Sequence, residues 1–175
     1  MPDLEIVSLQ FDHINLIEKI IPHLAEQSGF KVYWRKKNRS LQDYYDERRQ
    51  QYDALKILKQ IETPSSNSRT VIYTSVDLYI PIFTFVFGLA GLGGKTAIVS
   101  SYRLMNEFYG LPADENKLIE RIVKETIHEY GHLQNLRHCN NYQCVMASSN
   151  TVDDLDIKGI TFCSACLTEI NSQPY

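Results

Sequence analysis

Residues 128–166, HEYGHLQNLRHCNNYQCVMASSNTVDDLDIKGITFCSAC, constrain this chain more than any other stretch. They hold three of its five histidines, at 128, 132 and 138, and all four of its cysteines, at 139, 144, 163 and 166. Seven candidate ligands are one short of two metal sites with four protein ligands each. They divide into a closed site of four sulfurs and an open site of three nitrogens, and a zinc with an open position is the catalytic kind.

His128 and His132 stand at i and i+4. On a helix both imidazoles leave the same face one turn apart, within reach of one Zn2+ at about 2.0–2.1 Å. Glu129 is rotated by roughly 100° from His128 around the axis. It can stand beside the metal without ligating it and take a proton from a metal-coordinated water, whose pKa zinc lowers from 15.7 to about 7. His138 follows His132 by only six residues, so the helix must stop and the chain must turn back for it to reach the same metal. Asn135 is placed to make that turn. After glycine, Asn and Asp best tolerate the left-handed conformation that ends a helix.

The cysteines form a C-x4-C…C-x2-C pattern. Four thiolates at ~2.3 Å around Zn2+ make a tetrahedral structural site with no open position. A redox CxxC would open a helix after a strand in a βαβ setting, whereas Cys163 and Cys166 follow a polar stretch near the end of the sequence. A structural zinc would staple residues 139–166, which have few apolar side chains to pack, and would fix His138 beside Cys139.

The composition fits one soluble domain with a core: 175 residues, 43% hydrophobic and 22% charged. A formal net charge of -3 gives no electrostatic case for nucleic acid. The acidic start lacks the basic and apolar regions of a signal peptide. The longest apolar stretch, 78–92, is interrupted and too short to span a bilayer. These features predict a cytoplasmic protein, monomer favoured, with no membrane partner. In such a compartment metal ligation suits the cysteines better than disulfides.

Apolar periodicity predicts strands over 4–9, 30–35, 70–74, 83–89 and 96–101, and helices over 14–27, 43–61, 114–134 and 164–171. Pro22 suggests a kink or break in the first helix. Residues 43–61 read as a surface helix, 62–69 as a loop, and 135–163 as polar and irregular. Phe83, Phe85 and Phe87 alternate as if on one face of a strand, towards the core. GLGGKT (91–96) lacks the first glycine of a phosphate loop, where Leu89 stands, and reads as a turn between strands. His13 and His23 read as surface or packing residues. The strand–helix alternation points to an α/β layered domain.

HEYGHLQNLRHC (128–139), CVM (144–146) and CSAC (163–166) together resemble the signature of the archaemetzincins, a branch of the metzincin clan of zinc metallopeptidases. The resemblance covers 39 of 175 residues and interlocks two metal patterns at matching offsets. It implies an α/β (α+β zincin-like, metzincin-type) single domain over 1–175: a mixed twisted sheet of about five strands with an antiparallel edge strand, packed by helices including the HExxH helix (1–135), then a zinc-stapled part (136–175). It implies two Zn2+ per chain. His128, His132 and His138 would hold the catalytic ion; Cys139, Cys144, Cys163 and Cys166 would hold the structural one. Glu129 would be general base and acid for peptide-bond hydrolysis. Met146 would be the methionine of the turn beneath the histidines. The stretch 83–90 would be the edge strand, with Gly88, Leu89 and Ala90 pairing with an extended peptide or protein substrate. The family's usual glycine is Asn135 here. The rival reading is a non-catalytic zinc-binding module with a weakly filled histidine site.

Overall fold

The computed structural model describes residues 3–61 and 68–172. In chain order these form β1 (Asp3–Ser8), α1 (Ile17–Ser28), β2 (Lys31–Lys36), β3 (Tyr45–Asp46), β4 (Gln51–Asp53), α2 (Ala54–Gln60), β5 (Arg69–Thr74), β6 (Leu78–Tyr79), β7 (Gly88–Ala90), β8 (Thr96–Ser100), α3 (Glu115–Leu133), α4 (Val152–Ile157) and α5 (Ser164–Ser172). The main sheet has the order β2-β1-β5-β8-β7. Its first four strands are parallel, and β7 runs antiparallel along the edge of β8. This is the mixed five-stranded sheet with an antiparallel edge expected above.

Both sheet faces are buried, as parallel sheets require. Leu4, Ile6, Val71, Tyr73, Ala97 and Val99 face α1 and α3, while Val7, Ile72 and Ile98 face α2 and the loops around it. Alternation along each strand therefore divides the core into two layers. Pro22 does not break α1, which continues to Ser28. The proline is exposed, while Ile20 and Leu24 on either side are buried and hold the helix to the sheet. No helix among the described residues is long and apolar enough to cross a membrane.

Three expectations need correction. The surface helix over 43–61 forms only from Ala54. Ahead of it Gln50 takes a left-handed φ of 54° and turns the chain into the antiparallel pair β3–β4, which joins β6 in a small second sheet. Tyr44, Gln51 and Asp53 are buried, so tertiary packing overrides helix propensity here. Asp53 then caps α2 by accepting from the Lys56 N–H at 3.0 Å.

The strand over 83–89 shrinks to Gly88–Ala90. Arg49 Nη2 donates to the carbonyls of Phe83 (2.7 Å) and Thr84 (3.2 Å), and Gln51 Nε2 donates to Thr84 (2.9 Å). These side chains satisfy backbone groups that a strand would have paired, so residues 81–87 form turns and bends. The three rings accordingly share no face: Phe83 is 55% exposed and Phe87 is 4% exposed.

The polar stretch after residue 135 contains an unexpected helix, α4. Thr151 and Asp154 form a reciprocal capping box at its start, a signal present in the sequence. The loop expected over 62–69 lies mostly outside the described residues.

Candidate metal centre

α3 carries the first two histidines. It begins at Asp114, whose carboxylate accepts from the Lys117 N–H at 3.0 Å. It runs between the sheet and the C-terminal segment, so polar as well as apolar residues on it are buried. Arg121 makes a bidentate pair with Asp156 at 2.6 and 2.7 Å, and Lys124 donates to the carbonyls of Leu155 and Asp156. Through these contacts α4 is fastened along α3.

The helix ends as the third ligand demands. Asn135 has φ 62°. The Asn135 N–H donates to His132 O at 2.9 Å, and the Leu136 N–H reaches back to Gly131 O at 3.0 Å. These two bonds and the fully buried Leu136 make a Schellman close. The chain then doubles back and brings His138 to the other two rings, with centroids 5.3 Å from His128 and 5.0 Å from His132. Asn135→Gly is expected to keep zinc at the histidines, whereas Asn135→Val is expected to lose it, since a β-branched residue is strained at this φ. Metal analysis of both variants decides this, and equal zinc contents would show that the turn does not set the third ligand.

One ligand atom from each of the three histidines lies within 4.8 Å of the others. His128 Nδ1 lies 2.8 Å from Val145 O, and His132 Nδ1 lies 2.8 Å from Leu136 O. Lys158 Nζ also lies 3.3 Å from His128 Nδ1, but in both rings the nearer carbonyl draws the proton to Nδ1, so Nε2 of each ring offers its lone pair. The two Nε2 atoms are 3.2 Å apart. This is the outer-shell arrangement that fixes tautomer and ring orientation in metal sites. Burial is the main cause holding all three imidazoles below their usual pKa, with the Lys158 charge adding to it. The rings are therefore neutral, as metal ligation needs. The donor set fits zinc.

The four cysteines form a second cluster, and all are free thiols. The Cys139–Cys163 and Cys144–Cys166 sulfurs are each 3.8 Å apart, far beyond a disulfide bond. That spacing matches an edge of a tetrahedron with arms of ~2.3 Å. Backbone N–H groups point at the sulfurs, from Asn141 to Cys139 Sγ at 3.4 Å and from Cys163 to Cys144 Sγ at 3.3 Å. The backbone N–H of Cys166 is the largest influence holding the Cys163 thiol down, at about 7, whereas burial pushes Cys144 and Cys166 up. The two clusters abut at His138 and Cys139, and the Cys139 N–H donates to Met146 O at 2.9 Å.

Met146 is fully buried beneath α3. A side chain at Gly131 would collide with its sulfur and with Phe162. The glycine inside HEYGH is thus the space in which Met146 sits, a role that the sequence reading did not assign.

A cleft of about 420 Å3 runs above the histidines. Residues 83–90 wall one side, Ser148, Ser149 and Asn150 the other, and Glu125, Glu129 and Lys158 also line it. β7, with Gly88, Leu89 and Ala90, borders the cleft as the last strand of the sheet. Glu129 is 3% exposed, and burial, followed by the nearby Glu125 charge, raises its carboxyl well above the usual range. Its Oε2 is buried without a hydrogen-bond partner. On its strand side, a Cβ at Gly88 would come within 2.8 Å of Glu129 Cγ and Oε1. Glu125 and Lys158 were not singled out from the sequence. Glu125 carried a signal, an acid four residues before Glu129 on a helix whose neighbouring positions are apolar. Lys158 carried none, because only the fold brings it here.

Comparisons with known proteins agree with this geometry. The family model of peptidase family M54 matches residues 14–172. The archaemetzincin of Pyrococcus horikoshii is 43% identical over 129 residues, covering 72% of this chain and 69% of the relative. That of Saccharolobus islandicus is 36% identical over 172 residues, covering 95% and 92%. The crystal structure of a zinc-dependent peptidase from Methanocorpusculum labreanum superposes with a TM-score of 0.85 at 33% identity, covering 96% of this chain and 100% of that one. The archaemetzincin of Archaeoglobus fulgidus, crystallised with malonate, superposes with a TM-score of 0.81 at 33% identity, covering 95% and 99%.

Proposed function

This chain belongs to peptidase family M54 and is a zinc metallopeptidase, and from that premise we propose that Glu129 is its general base and acid in peptide-bond hydrolysis. His128, His132 and His138 would hold the catalytic zinc, and Cys139, Cys144, Cys163 and Cys166 a second, structural one. The observation that carries the reading is the unpartnered Glu129 Oε2, buried in the same cleft as three converging, neutral imidazoles.

A zinc ion at the histidines supplies a Lewis acid, which polarises the scissile carbonyl and acidifies water. Glu129 accepts the proton of the attacking water and releases it to the departing amine. Burial suits it to both tasks: the raised proton affinity lets it take a proton at neutral pH, and the closeness of Glu125 keeps a second negative charge nearby. Substrate would lie extended along β7. Gly88, Leu89 and Ala90 are paired with β8 on one side only, so their outward backbone groups can take another strand. Gly88 leaves room for Glu129 behind that strand. Met146 would support the metal helix from below through Gly131. Residues 1–135 and 136–175 act as one unit in this reading, because α4 and the cysteine cluster pack on α3.

Brief chelation tests the proposal. His138 is exposed, whereas Cys144 and Cys166 are buried. A chelator is therefore expected to remove one zinc per chain and all cleavage of an unstructured protein substrate, leave the second zinc in place, and permit recovery on adding zinc back. Cleavage that persists after the first zinc has left would overturn the reading.

A further inference from the structure

Glu125 stands one helical turn before Glu129 on α3, is 5% exposed, and lines the same cleft. Two acids buried on one helix face oppose folding unless something compensates, and the hydrolytic scheme gives the first no step of its own. Three observations bear on it. At i and i+4 of one helix the two side chains are neighbours, and both line the cleft. On the far side of Glu129 stands the backbone of β7 and β8, so close that a Cβ at Gly88 would meet Glu129 Oε1 at 2.8 Å and Ile98 O at 3.0 Å. Lys158, 3% exposed, lines the same cleft; its ammonium donates to Ala147 O at 3.2 Å and lies 3.3 Å from His128 Nδ1. A buried lysine is itself costly, and burial is the largest influence opposing its charge. Retaining one here implies a local anionic charge that it balances.

We propose that Glu125 is a positioning residue for Glu129: its side chain braces the Glu129 side chain against Gly88 in one rotamer, while Lys158, buried in the same cleft, balances the two acids. The bracing uses shape and charge together. Alanine at 125 would open a cavity into which Glu129 can swing. Glutamine would keep the volume but present an amide N–H beside Glu129 in place of a carboxyl oxygen, and so draw Glu129 out of that rotamer. The inference rests on Glu129 being the base.

Steady-state kinetics on a fluorogenic peptide, zinc content and thermal midpoints test it on the full chain. Glu125→Gln and Glu125→Ala are each expected to lower kcat about ten- to hundredfold, the scale of a misplaced catalytic group, with KM within about twofold and zinc content unchanged. Lys158→Met is expected to lower the thermal midpoint, and Glu125→Gln combined with Lys158→Met to lower it by less than the sum of the two, because each leaves the other's charge uncompensated. Unchanged kcat in zinc-loaded Glu125→Ala, strictly additive midpoints, or loss of histidine-site zinc in Glu125→Gln would each overturn the assignment. Glu129→Gln run in parallel separates the two ideas. If it still cleaves peptide, the base itself is misassigned. If it is inactive while the Glu125 variants turn over normally, only the positioning role falls.

Discussion

Glu129→Gln is expected to lower kcat/KM for peptide hydrolysis by about 10²–10⁴-fold, the range that a positioned acid–base group contributes, with zinc content and melting temperature held near those of the parent. The size follows from where the carboxylate sits. Glu129 Oε2 has no hydrogen-bond partner among the described residues, so the substitution breaks no hydrogen bond at that oxygen. It removes the buried carboxylate adjacent to His128 that the proposed mechanism uses to take up a proton. The amide has the same shape and clears Gly88 equally well. Retained hydrolysis at full zinc occupancy would show that the proton goes elsewhere.

Cys166→Ser is expected to lose the zinc proposed at the cysteines, loosen residues 139–166, and weaken zinc at the histidines as well. Structural zinc in small peptides is worth about 10–16 kcal/mol at neutral pH, comparable with the whole stability of a typical domain. The segment has little else to hold it: among residues 139–166 the fully buried apolar side chains are few, chiefly Val145, Met146 and Leu155. His138 adjoins Cys139, and the Val145 carbonyl that orients His128 adjoins Cys144, so two of the three histidines depend on the cysteine cluster for their posture. The measurement is zinc per chain together with limited proteolysis. A Cys166→Ser protein that keeps both zincs and resists protease like the parent would contradict it.

The sequence announced this site unusually well because its ligands are local. Three histidines and four cysteines fall within 39 residues, and helical spacing alone aligns the first pair. Asn135 was legible for the same reason: a turn was required, and few residue types can make it. The main strands were legible from their apolar runs. What escaped notice was set by contacts distant in sequence. Residues 43–53 look helical in isolation, but burial of Tyr44, Gln51 and Asp53 and pairing with β6 decide otherwise. The rings at 83, 85 and 87 imitate a strand, yet Arg49 and Gln51, more than thirty residues earlier, hold the carbonyls of Phe83 and Thr84. Gly131 looked like an ordinary motif position until Met146 was found against it. Lys158 shares a cleft with Glu129 only because the fold lays α4 along α3, a relation no short window of sequence contains.

The turn after β7 is tied to α3 at one further point. The Gly93 N–H donates to the His132 carbonyl at 2.9 Å, and Gly94 packs beside Leu133. The cleft edge and the last turn of α3 are thereby fastened together, and the edge becomes a ruler whose zero mark is the histidine site. A bound strand that slips by one residue moves about 3.3 Å along it and turns its side chains to the opposite face. Attack tolerates far less, since reacting atoms must lie about 3–3.5 Å apart and aligned. Which bond is cut would then be measured off by main-chain pairing, and a substrate would be selected first by whether it can offer a few consecutive extended residues to the edge.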